Sequence, residues 1–125
     1  MSEKASSVPA VLYICAARRG VVAGVAEERA EQEGRDFAAA RGLEIVTVVT
    51  DPFGDPVPQR RSGWLRVREM AERGEVEVVI VRWPNALSVD HEQRYPEMKH
   101  LVRFGCQLLF SWEPLAETAG LGATR

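Results

Sequence analysis

"ERGEVEVVIVRWPNALS", residues 72–88, carries the end of a helix, a strand and the loop that leaves it. Gly74 stands where a helix stops, and Val76, Val78, Val79, Ile80 and Val81 follow with only Glu77 among them. A strand with one face in water alternates apolar and polar residues, whereas a run this continuous belongs to a strand covered on both faces. Helices must therefore lie on both sides of the sheet that contains it.

Three more runs have the same character: "AVLYIC" (10–15), "LEIVTVVT" (43–50) and "CQLLFSW" (106–112), beside "VEVVIVRW" (76–83). Helical spacing fills the gaps. Residues 21–41 show turns at Val25, Ala26, Arg29, Ala30, Glu33, Phe37 and Ala40, with Gly42 as the stop. A second helix follows Ser62 over 63–73 and stops at Gly74. A third, "SVDHEQRYPEMKHLVRFG", starts at a Ser88 cap and ends at Gly105, with Pro96 kinking it or splitting off its first turn. Four strands alternating with three helices predict an α/β fold of three layers, α/β/α, around a mainly parallel sheet with right-handed crossovers.

A chain of 125 residues makes one domain. The expected division is a disordered segment at 1–9, the domain at 10–116 and a tail at 117–125. With 16 basic and 18 acidic residues the net charge is -2, so the overall balance advertises neither nucleic acid nor membrane. Cys15 and Cys106 end or begin apolar runs and read as reduced thiols of a cytoplasmic protein. No apolar stretch approaches the roughly 20 residues that span a bilayer, and "MSEKASS" has no signal core. No cofactor and no metal are expected: His91 and His100 are nine residues apart on the third helix and read as surface residues, not a ligand pair.

Two connections are longer than packing requires: "DPFGDPVPQRRSG" (51–63) and "WPNALS" (83–88). In a parallel sheet, loops at the carboxyl ends of strands form the ligand crevice, so both should converge there with "CAARR" (15–19).

Tyr13 closing the first strand, Asp51 closing the second, Arg61-x-Gly63 entering the second helix, "ERGEVEVVIV", a helix after "LS" and the tail "SWEPLAETAGLG" keep one order and spacing over about residues 10–122. Together they resemble the catalytic domain of serine recombinases, the resolvase and invertase family, which implies a resolvase-like, flavodoxin-like arrangement. The resemblance implies cleavage of a DNA phosphodiester by a serine hydroxyl, a covalent phosphoserine intermediate and strand exchange. Arginines hold the scissile phosphate and stabilise its developing charge.

The departures fall on that chemistry. Where the family has Tyr-x-Arg-x-Ser, this chain has Tyr13, with Cys15 at the arginine position and Ala17 at the nucleophile position. Where the family has Asp-Arg-Leu-Ser-Arg, the chain has Asn85, Ala86, Leu87, Ser88 and Val89, without the three charges. Tyr13, Asp51 and Arg61 are retained, and Arg60 and Arg61 at a helix start form the candidate anion site. Against this stands the plainer reading of two solvated arginines and a turn aspartate. Ser62 and Ser88 read as helix caps.

The expectation is a catalytically inactive recombinase-type domain that persists as a binding or regulatory module, tied to a mobile element, or as a relic. It would meet DNA weakly or through a partner protein, as a monomer or a weak homodimer through the third helix, whose Tyr95, Met98, Leu101, Val102 and Phe104 supply apolar area. Two alternatives stay open. One is an active recombinase or nickase with a rebuilt nucleophile, Cys15 activated by Arg18 and Arg19. The other is a small-molecule enzyme using a crevice lined by Tyr13, Asp51, Arg61 and Trp83.

Overall fold

The computed structural model describes residues 7–15, 25–52 and 55–112, with the side chains of the first helix described from residue 27. The order of elements is β1 (Val8–Cys15), α1 (Val25–Arg41), β2 (Leu43–Asp51), a 3-10 turn (Pro58–Arg60), α2 (Ser62–Glu72), β3 (Val78–Val81), a one-turn helix (Pro84–Leu87), α3 (His91–Arg103) and β4 (Gln107–Phe110). All strand pairs are parallel and the sheet order is β2-β1-β3-β4.

Strand alternation divides the interior in two. On one face Ala10, Leu12 and Ile14 of β1 and Val78 and Ile80 of β3 pack under Phe37 and Ala38 of α1. On the other, Val11, Tyr13, Val79 and Val81 meet Trp64, Val67, Met70 and Ala71 of α2 and Leu101 of α3. Successive residues of β1 and β3 thus go to opposite cores, which is why their sequences are apolar without a break. This is the three-layer α/β/α arrangement that the apolar runs predict. Gly34 sets how closely α1 approaches the sheet, since a Cβ there would lie 2.5 Å from Leu12 Cδ1.

Several boundaries shift. β1 begins at Val8, two residues before the apolar run, because Val8 and Pro9 already register with Leu43 and Glu44. β3 and β4 are shorter than their runs, four residues each, because Arg82 and Trp83 turn toward the one-turn helix and the chain bends at Trp112. The segment 84–87, read as loop, is a helical turn with Pro84 at its first position, where the missing N–H is no loss. Helix α3 runs through Pro96 as one element rather than splitting. The expected stops at Gly42, Gly74 and Gly105 all have positive φ, between 70° and 76°.

Two of the serine assignments are corrected. Ser62 is the first residue of α2, and no side chain of the N-cap residue Arg61 closes that helix. Asp90, not Ser88, caps α3, with its carboxylate accepting from the amide of Glu92 at 3.0 Å. Ser88 is fully buried and bonds elsewhere.

Candidate functional site

In the sheet order β2-β1-β3, the chain leaves β1 toward one edge and later crosses back to the other side, so a crevice opens at the carboxyl ends of β1 and β3. The retained residues meet there. Asp51, the last residue of β2, is buried, and its Oδ1 accepts from the amide of Gly63 at 2.9 Å. Its Oδ2 accepts from the amide of Trp64 at 2.9 Å and from the Tyr13 hydroxyl at 2.7 Å. Gly63 and Trp64 are the second and third residues of α2, so a carboxylate from a neighbouring strand does the work an N-cap side chain does locally. Position 63 has to be glycine, since a Cβ there would stand 2.6 Å from Asp51 Oδ2.

Arg61 is 5% exposed. Its Nε and Nη2 donate to the carbonyl of Asp55 at 2.9 and 2.6 Å. Its Nη1 donates to the carbonyl of Ala86 at 3.0 Å and, at 3.4 Å, to the Tyr13 hydroxyl. The phenol therefore links arginine to aspartate, and the Tyr13 ring packs edge-on against Trp64, centroids 5.1 Å apart. Burial, then the neighbouring Cys15 and the bond to Asp51, push the Tyr13 hydroxyl far above its ordinary range against the pull of Arg61.

Cys15 lies on the same face of β1 as Tyr13 and is half-buried, its Sγ donating to the carbonyl of Pro52 at 3.6 Å. Burial raises its pKa more than the charge of Arg61 lowers it, so the thiol is held protonated. Ala17, Arg18 and Arg19 lie outside the described residues. Among the substituted positions, Asn85 is exposed on the one-turn helix, Ala86 is buried with its carbonyl on Arg61, and Val89 is 60% exposed. Arg60 is exposed, so the two adjacent arginines part, one outward and one into the core. Trp83 stands at the carboxyl end of β3 but packs edge-on with Trp112, centroids 5.2 Å apart, under the guanidinium of Arg82.

Three participants take roles that the sequence reading does not give them. Ser88 Oγ donates to the carbonyl of Pro56 at 2.7 Å and accepts from the amide of Asp90 at 3.0 Å. Glu97, 2% exposed on α3, accepts from Trp64 Nε1 at 2.8 Å and from Gln59, and pairs with Arg68 at 3.2 Å. Its position one turn before Leu101, on the apolar side of the helix, was the available clue. His100 is half-buried rather than a free surface group, with Nε2 at 2.7 Å from Glu72 and Nδ1 at 3.2 Å from Arg68. Among the described residues, no group of three His, Cys, Asp or Glu side chains could hold a metal ion, and no helix is long and apolar enough to cross a membrane.

No family model and no curated protein matches the sequence. Solved structures do. The C-terminal catalytic domain of ISC1926 TnpA, an IS607-like serine recombinase, superposes with a TM-score of 0.68 at 19% identity, over 83% of this chain and 67% of that one. A resolvase family site-specific recombinase from Streptococcus pneumoniae gives 0.69 at 15% identity, over 94% and 89%. The chain has the serine recombinase catalytic-domain fold. The N-terminal catalytic domain of TP901-1 integrase gives a further match, 0.66 at 13% identity over 84% and 78%. In this chain the carboxyl ends of β1, β2 and β3, at Cys15, Asp51 and Val81, lie at one end of the parallel sheet.

Proposed function

We propose that this chain descends from site-specific serine recombinases and does not cleave DNA. It acts as a binding or regulatory domain in a DNA-recombination setting, contacting DNA weakly or through a partner protein. One observation carries this reading. The polar groups that remain at the crevice bond to one another and to the main chain, while positions 15, 85, 86 and 89 carry Cys, Asn, Ala and Val. A phosphoryl-transfer site needs donors aimed at an external oxygen. Arg61 and Asp51 here are aimed at protein atoms. With alanine at position 17 of the sequence, the family's serine hydroxyl is missing as well.

The rebuilt-nucleophile alternative is disfavoured by the raised pKa of Cys15, since attack on phosphorus requires a thiolate. The small-molecule alternative is not helped by the cavity of about 430 Å³, which is lined by Val8, Leu43, Val78 and Gln107 at the amino ends of the four strands, opposite the crevice. Self-association through α3, as a monomer–dimer equilibrium, is part of the same proposal, supported by exposed Tyr95 and Val102 on that helix and Phe104 just after it.

Supercoiled plasmid incubated with the protein and resolved after denaturation is the test. The expected outcome is intact supercoiled DNA with no protein–DNA adduct. Relaxation or an adduct that Cys15→Ala abolishes would establish a rebuilt nucleophile instead.

A further inference from the structure

In the order β2-β1-β3-β4, one side of β2 pairs with β1 and, among the described residues, no strand pairs with the other. An unpaired edge offers its main-chain N–H and C=O groups to any strand that arrives, and proteins usually guard it with lysine, proline or a very short strand. This edge has none of those guards. Leu43–Asp51 is nine residues long, has neither lysine nor proline, and carries two acidic groups, of which Asp51 is buried and holds the start of α2. β4, at the opposite edge, has only four residues. The register of β2 with β1 passes from Ile45 to Thr47 and skips Val46, a bulge. A bulge ordinarily blunts an edge, yet this one presents a valine, 46% exposed, rather than a charge.

The flank of α2 says what fits there. A cleft of about 240 Å³ runs beside the strand, with Thr47 on one wall and Arg66, Glu69, Met70, Arg73 and Glu75 on the other. Its four charged residues alternate in sign along the chain and all are exposed. Arg73 pairs with Glu69 at 2.7 Å and with Glu75 at 3.8 Å, whereas Arg66 pairs with no carboxylate among the described residues. We propose that a second copy of this chain docks on this edge, β2 against β2, antiparallel about a twofold axis at Thr47, so that two four-stranded sheets become one. Such an axis reverses the order of the cleft residues in the second copy. Arg66 of one copy then meets Glu75 of the other, Glu69 meets Arg73, and Val46 meets Val48 beside the axis. A parallel pairing would set like charges against each other. The interface is isologous and closes at two copies. It is a different surface from α3, and neither the α3 association nor DNA cleavage enters its test.

The test uses the full chain carrying Val102→Glu, which replaces the most exposed apolar group of α3 by a charge and leaves β2 as the surface measured. Sedimentation velocity over a concentration series should show a reversible monomer–dimer equilibrium that Val46→Lys abolishes. Arg66→Glu alone, or Glu75→Arg alone, places like charges at two symmetric contacts and should raise the dissociation constant about tenfold or more. An equimolar mixture of those two variants should form heterodimers, seen by native mass spectrometry, because each copy then offers the other opposite charges. No effect within one copy can produce that rescue. Thr47→Cys should cross-link under mild oxidation, since residues opposed across an antiparallel axis have Cα atoms about 4.5–5.5 Å apart, within disulfide reach. If Val46→Lys does not fold, the exposed positions 66 and 75 carry the test alone. A chain that stays monomeric at every concentration would leave the edge to a strand of another protein and overturn the proposal. So would charge variants that dimerise like their parent, a mixture that pairs no better than its components, or a Thr47→Cys that does not cross-link.

Discussion

A methyl group at position 63 would lie 2.6 Å from Asp51 Oδ2, inside any contact two such atoms can keep. The carboxylate would have to leave the start of α2, abandoning two helix amides and the Tyr13 hydroxyl. Alanine ordinarily gains about 1 kcal/mol over glycine within a helix, yet the loss of a buried charged acceptor with its three donors outweighs it. Gly63→Ala should therefore destabilise by about 2–4 kcal/mol in urea unfolding, the range of a lost cap plus unsatisfied buried donors. Asp51→Ala should cost a similar amount. Because both act on one contact, the double variant should cost far less than their sum. Additive effects would show that Gly63 matters for a reason other than admitting Asp51.

At the level of elements, the seam between α2 and α3 is held by a buried polar cluster rather than by apolar packing alone. Trp64 and Arg68 on α2 and Gln59 in the preceding turn all converge on Glu97 of α3. His100 extends the cluster one turn along α3, to Glu72 and Arg68. Removing one member of a buried pair leaves the other uncompensated, so Glu97→Ala should cost about 3–5 kcal/mol. Glu97→Gln keeps an acceptor for the indole N–H and should lose less. Replacing Arg68 and Glu97 together by leucine should recover most of the deficit, since neither charge then remains. Denaturant midpoints of the three variants decide this, and a double variant no better than Glu97→Ala would mean the cluster acts through shape and not charge.

The molecule as a whole is built around groups that must stay neutral. Cys106 has its thiol pushed up to about 11 by burial and the nearby charge of Glu77, from an ordinary value of 9.0. Cys15 is also raised from 9.0, by burial first. Tyr13 is raised above 10.0, again by burial first. Each folded pKa exceeds its unfolded value, so the folded state holds these protons more tightly. The associated stability is complete below the unfolded pKa and is lost as pH rises through the folded one. Stability should therefore be level from about pH 7 to 8.5 in respect of these groups, decline from about pH 9 as unfolded thiols ionise, and steepen above about pH 10 with the phenol. Chemical denaturation across pH 7–11 measures this. In Tyr13→Phe the steepening above pH 10 should vanish, at a lower starting stability because Asp51 loses a donor. A profile unchanged by Tyr13→Phe would place the alkaline transition elsewhere.

Continuous apolar runs such as Val78–Val81 were enough by themselves to require a sheet covered on both faces, and the spacing of Gly42, Gly74 and Gly105 was enough to end its three helices. Tyr13, Asp51 and Asn85 could likewise be placed at one end of that sheet, because parallel strands put their carboxyl ends together whatever the side chains do. These features are local or topological, and a one-dimensional pattern records them. Partners across long loops are another matter. That Asp51 caps α2, that Ser88 reaches Pro56 while Asp90 caps α3, and that Arg61 faces inward while Arg60 faces water depend on contacts between residues 12 to 48 positions apart or on which way one buried side chain turns. A hydrogen bond leaves no periodicity in the chain that makes it. Only the folded arrangement, in which burying an unpaired polar group is too costly, selects which donor meets which acceptor.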